Sequence, residues 1–205
     1  MLPKVFFFLA FCHPIFLTIA QEKYIAHYDN RVIKAEGVMR DGVKDGEWKY
    51  YYPSSALMAR ERFVAGKLDG QIKYYYPNGK LQGLEGWRNG ALQDSAYYYF
   101  DNGVAERKGK YKDHQYAGAW VYYHPNGRIE KEVNYRGGLP HGPVVVFSEE
   151  GSKLQEGEYA KGLEHGDWKF YGEDGQLVYE GRYENGQRVG TWYRYSRGKR
   201  KVWKY

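Results

Sequence analysis

The sequence holds one cysteine and seven prolines, and nowhere do its apolar residues sustain a helical period for three turns. A lone Cys12 excludes a disulfide framework. The missing helical period, with glycine interrupting every few residues, excludes helix as the main element. Apolar runs are confined to the start, where Lys4 precedes Val5 to Leu17 and Thr18-Ile19-Ala20 leads into polar sequence. Residues 1–20 read as a signal peptide cleaved after Ala20, so the protein is expected to be exported to the periplasm, the envelope or the medium. A retained anchor is the alternative, but the run is shorter than the ~20 residues a span needs and contains His13-Pro14. Cleavage would remove Cys12, and Phe11 is not the small residue that lipoprotein processing needs before its cysteine.

A cationic body is absent too. The formal net charge is +6, yet Arg194, Arg197, Lys199, Arg200, Lys201 and Lys204 crowd into a tail with no acidic residue. Setting these six and Lys4 aside leaves 24 basic against 25 acidic residues. Only the tail therefore carries an electrostatic footprint, suited to an anionic surface such as a membrane. Export argues against nucleic acid as its target.

What the chain does have is glycine, 26 of them, and tyrosine, 23 of them, at a mean hydropathy of -0.79. In "KYYYPNGKLQGLEGWRNG", Asn78-Gly79 lies between two strand-like runs and reads as a type I′ hairpin turn. The same glycine recurs every 24 residues at Gly103, Gly127, Gly151 and Gly175. A second set keeps that step at Gly46, Gly70, Gly118, Gly142, Gly166 and Gly190, with Asp94 in the one missing place. Phe63, Trp87, Tyr111, Tyr135, Tyr159 and Tyr183 form a column, and three residues beyond it lies a glycine, except where His114 stands. Such self-similarity decides the architecture before any local reading. Six full copies run over 46–189, a partial copy with the basic tail over 190–205, and a degenerate capping copy over 21–45.

Each copy should supply two strands, as in Asp167 to Tyr171 and Leu177 to Tyr183. The expected fold is all-β: an elongated, twisted, single-layer antiparallel meander of about seven hairpins, some fourteen strands and ~65 Å long. Alternation sorts the side chains by face. Trp48, Ile72, Ala96, Trp120, Val144, Trp168 and Trp192 share one face. Tyr51, Tyr75, Tyr99, Tyr123, Phe147, Tyr171 and Tyr195 line the other. That second column is the candidate partner-binding surface, with plain packing along one face of the sheet as the equal alternative.

The motifs "EGWRNGALQDS", "NYRGGLPHGPV", "EYAKGLEHGDWKFY" and "RYENGQRVGTWYRY" resemble MORN repeats, in particular the bacterial variant class of YwqK-type antitoxin proteins. The resemblance covers about 160 of the 205 residues. It implies an elongated antiparallel sheet, a binding or scaffolding role without intrinsic catalysis, and contact with protein or with membrane phospholipid. Asp94, Ala96, His114 and the Ser54-Ser55 turn depart from the pattern, and those places are expected to be irregular or functional.

Candidate chemistry is sparse. His141 and His165 fill one slot in neighbouring copies, roughly 10 Å apart and too far to share a metal at ~2.1 Å. His27, His114 and His124 fall in unrelated slots. Glu156 and Glu158 are the nearest to an acid–base pair, while Glu61, Glu85 and Glu180 occupy repeated positions that suit cross-strand bonding. No glycine-rich loop opens a helix to hold phosphate. The expectation is a non-enzymatic protein without cofactor or metal, which binds a protein partner or, through its tail, an envelope surface. Its unpaired edge strands offer a route to homo-oligomers.

Overall fold

The computed structural model describes residues 21–204; the leader read over 1–20, with Cys12, lies outside them. The fold is one open antiparallel meander in which each strand pairs with the next along the chain. Two short strands, Lys67–Leu68 and Leu139–Pro140, continue across a kink into Gly70–Tyr75 and Gly142–Phe147, so eighteen segments make sixteen rungs. Fourteen rungs run from Val43 to Trp203, and Gln21–His27 and Ile33–Arg40 add two more. At ~4.8 Å per strand the sheet spans ~70 Å. Gln21–His27 and Lys199–Trp203 are its edges, each paired on one side among the described residues.

The two ends of the strands turn differently. At the Asn78 end, Gly79 N–H donates to Tyr76 and Tyr76 N–H donates to Lys80. Only Gly79, at φ 81°, enters the left-handed region, so the turn is type I with Pro77 leading and a bulging glycine closing, not the type I′ expected. Pro77 explains the difference, since its ring fixes a negative φ that suits a type I entry. Type I′ geometry belongs to the opposite end, where Asn89 and Gly90 at φ 50° and 82° join Arg88 to Ala91. The departures keep this geometry: Ser55 takes the Gly79 slot at φ 67°, and Asp113-His114 make a type I′ turn at 49° and 65°.

Four strands are longer than the motif suggested, because Gly46, Gly118, Gly166 and Gly190 sit inside them, while Gly70 and Gly142 follow the two kinks. Leu163–Tyr171 runs through Gly166, whose φ of 70° marks a bulge where the register slips between Glu156 and Glu158. Asp94 holds the same bulge at φ 64°.

The core lies on one face. Trp48, Ile72, Ala96, Trp120, Val144, Trp168 and Trp192 are all buried there, under rings from the Phe63 column and from Tyr50 and its equivalents. Each indole lies flat over a glycine eleven residues earlier. A Cβ on Gly109 would stand 2.2 Å from Trp120 Cδ2, and Gly37, Gly157 and Gly181 are as tightly covered by Trp48, Trp168 and Trp192. Where the large ring is missing, the glycine is missing too: Ile72, Ala96 and Val144 follow Glu61, Glu85 and Val133. A smaller residue in one slot is thus accompanied by a larger one across the boundary between copies.

Candidate functional site

With the tryptophan face packed on itself, the opposite, outer face is the one available for recognition. Tyr51, Tyr75, Tyr99, Tyr123, Phe147, Tyr171 and Tyr195 do share it, each half-buried. Tyr51 donates to Glu36 at 2.7 Å and Tyr195 to Glu180 at 2.6 Å, and Tyr171 donates to Glu156. Burial, reinforced by these carboxylates, pushes Tyr51 and Tyr171 up to about 12. The Glu156 carboxyl is held below its usual range by Lys153, at 2.8 Å, and by Tyr171. The phenols at the ends of the column are therefore fixed, and in the middle Tyr123 lies beneath Lys108 Nζ, 5.5 Å from its ring centre.

Backbone carbonyls of the same column are claimed from the copy before. The Tyr28, Tyr52 and Tyr76 hydroxyls donate to the carbonyls of Tyr51, Tyr75 and Tyr99, and His124 Nε2 bonds that of Phe147. At the turn, Asn78, Asn102 and Asn126 donate to the carbonyls of Asp101, Pro125 and Glu149. This ladder locks neighbouring copies together and sets the outer face as one continuous surface.

The register reveals what the column alone does not. One row of directly opposed residues crosses the outer face: Glu36, Lys49, Arg60, Lys73, Leu84, Tyr97, Lys108, Val121, Glu132, Val145, Glu156, Lys169, Glu180, Tyr193. A parallel row adds Glu47, Arg62 and Lys110 to the first half, and Glu158, Asp167 and Arg182 to the second. Along these two rows the first half holds six basic residues against two acidic, and the second five acidic against two basic. Where the halves meet, Leu84, Tyr97, Val121, Pro143 and Val145 are interleaved with Lys108 and Glu132, with Tyr97 38% exposed and Ile129 40% exposed at the margin. Sequence reasoning missed this division because it appears only when the strands are placed in register.

The basic tail forms the last hairpin, closed by a type I′ turn at Arg197-Gly198. Its charges are split between faces. Arg200 opposes Tyr195 on the outer face, 3.4 Å over the Tyr193 ring and 3.6 Å from Glu180, while Lys201 opposes Arg194 on the other. Arg197, Lys199 and Lys204 are exposed.

The other candidate groups are placed apart. Glu85 lies on the tryptophan face and accepts from Tyr98 at 2.7 Å, Tyr74 at 3.2 Å and Trp87 Nε1 at 3.0 Å. Glu61 opposes Trp48 on that face, where burial raises its carboxyl while Tyr50 and Lys44 oppose the shift. Glu158 is exposed opposite Pro143 and does not share a hydrogen bond with Glu156. His27 lies on an edge strand, His114 packs against Trp87, and His141 and His165 sit beside bulge glycines. Among the described residues no three His, Cys, Asp or Glu side chains converge as metal ligands.

Segments 44–64, 68–89, 117–136 and 164–185 match the MORN repeat variant. The chain is a MORN-repeat protein of the variant class. Its segment 90–116, holding Asp94, Ala96 and His114, lies outside the matched repeats although its backbone follows the others. MORN repeats commonly serve as scaffolds that bind protein or membrane. No curated protein matches the chain. Among solved structures it is similar to chains described as "Crystal Structure of TcdB2-TccC3" and "Crystal Structure of TcdB2-TccC3-Cdc42", each at 11% identity and a TM-score of 0.20. These alignments take in 85% of this chain but 13% of the other, too slight a likeness to bear on function.

Proposed function

We propose that this MORN-repeat chain is an exported, non-enzymatic scaffold that recognises a protein partner on the outer face of its sheet. The observation that carries the reading is the group of apolar residues in the middle of that face, exposed at Tyr97, interleaved with Lys108 and Glu132 and bordered by charged halves of opposite sign. Apolar anchors within a charged rim are the usual anatomy of a protein-recognition surface. The outer tyrosines add rigid amphipathic area to it. An antitoxin or immunity role would be one case of such recognition. Glu85, Glu156 and Glu180 are engaged by tyrosine hydroxyls, and Glu156 by Lys153 as well, which supports binding rather than catalysis.

Capture by the chain from Gln21, compared with a variant carrying Tyr75, Tyr99, Tyr123 and Tyr171 as Ala and shown to fold, tests this reading. A partner retained by the wild type and lost by the variant is the expected result. Equal capture by both would make the column structural. Exposed Arg197, Lys199 and Lys204 at one edge favour a second reading, adsorption to an anionic membrane surface. Adsorption of that kind weakens steeply with salt, whereas aromatic anchoring does not.

A further inference from the structure

We infer that the occupant of the middle of the outer face is a second copy of this chain, laid face to face with its strand order reversed. The inference rests on the outer face being a recognition surface, and it names the partner.

A single-layer sheet leaves Leu84, Tyr97, Val121 and Val145 to water on one side. A second sheet packed at ~10 Å, strands within ~30°, covers such a face. Charge then selects which sheet. A two-fold axis parallel to the strands, passing between Ala105–Lys112 and Gln115–Tyr123, sets the basic half of one copy over the acidic half of the other. Counting rungs outward from that axis, Lys108 meets Val121 and Tyr97 meets Glu132, which sets Lys108 of one copy a single rung from Glu132 of the other; then Leu84 meets Val145, Lys73 meets Glu156, Lys49 meets Glu180, Arg62 meets Asp167 and Glu47 meets Arg182. Arg60 against Lys169 is the one like-charged opposition along these rungs. An axis along the row would instead lay each half on itself, basic on basic and acid on acid. Area also suffices: the ten central rungs offer a patch of ~48 by ~17 Å, roughly the 800 Å² that each partner of a standard interface buries.

Sedimentation velocity on the chain from Gln21, which holds every described strand, tests this. The wild type should dimerise, and added salt should weaken the dimer because the charged halves are exposed at its rim. Leu84→Glu, Arg62→Glu and Asp167→Arg should each weaken self-association about tenfold or more. Arg62 and Asp167 are exposed, so these two charge reversals leave the core intact. Mixing the two reversed proteins should restore a dimer holding one copy of each, an outcome no purely structural effect produces. A monomeric wild type, a mixture that fails to associate, or a dimer indifferent to all three variants would overturn the inference. In the last case the edge strands would carry the association. A monomeric wild type whose outer face still captures another protein would sink the self-pairing and leave the scaffold reading standing.

Discussion

Trp120 and Ala96 hold the same slot in neighbouring copies, and both are fully buried. Beneath Trp120 the chain places Gly109, with no room for even a methyl group. In the slot that pairs with Ala96 it places Glu85, whose carboxylate gathers the Tyr74 and Tyr98 hydroxyls and the Trp87 indole N–H. One solution fills the space with an apolar ring and the other with a hydrogen-bonded polar cluster. The backbone is nearly indifferent, since Asp94 and Gly118 bulge at almost the same φ, 64° and 63°. Copies are thus interchangeable in backbone and complementary across their boundaries, which frees the outer face to vary from copy to copy.

The largest break should come from the tight copy. Trp120→Ala removes a fully buried indole and should cost roughly 3–5 kcal/mol in a denaturant titration. Gly109→Ala should cost about as much as an overpacked core, ~1–3 kcal/mol, because ring and backbone both resist the added Cβ. In the polar copy, Glu85→Ala strands two hydroxyls and an indole N–H, for about 1–3 kcal/mol. A loss as large as that of Trp120→Ala would mean the polar cluster is more than a substitute for the ring.

Titration probes the outer face by another route. Tyr51 and Tyr171, raised to about 12, have an ordinary value near 10. The stability their bonds contribute is therefore complete below pH 10 and lost as pH climbs through about 12. The opposite sign holds for Glu156: its lowered carboxyl contributes above the ordinary carboxylate range and loses that contribution as pH falls. Tyr51→Phe and Tyr171→Phe should each remove part of the tyrosinate absorbance that appears as pH climbs through about 12. The smallest effect is expected at His114, whose φ of 65° is strained for a side chain. His114→Gly should stabilise by up to ~1 kcal/mol, less whatever its ring contact with Trp87 contributes.

Much of the fold was legible from the spacing of 24 residues, since glycine and aromatic columns at one period admit only a stacked meander. Face assignment followed from alternation, and Trp48 and Tyr51 fall on opposite sides as that rule requires. The turn at Asn78 was misread because Asn-Gly was weighed without the preceding Pro77. The departures at Asp94, His114 and Ser55 looked like breaks in the repeat, yet backbone geometry there is preserved and only side chains differ. Two features stayed hidden for a common reason. Matching of Trp120 to Gly109, and of Tyr171 to Glu156, joins residues eleven and fifteen apart that fall on either side of a copy boundary. The charged halves of the outer face likewise need the register between copies, which no single repeat contains.

A double-mutant cycle on Gly109→Val and Trp120→Val, which transplants the Val133–Val144 pairing into this copy, tests the volume matching most directly. The account predicts that the double variant is more stable than Gly109→Val alone, because removing the ring makes room for the new side chain. Strictly additive losses would contradict it, and would mean that copies fold without regard to what lies across their boundary.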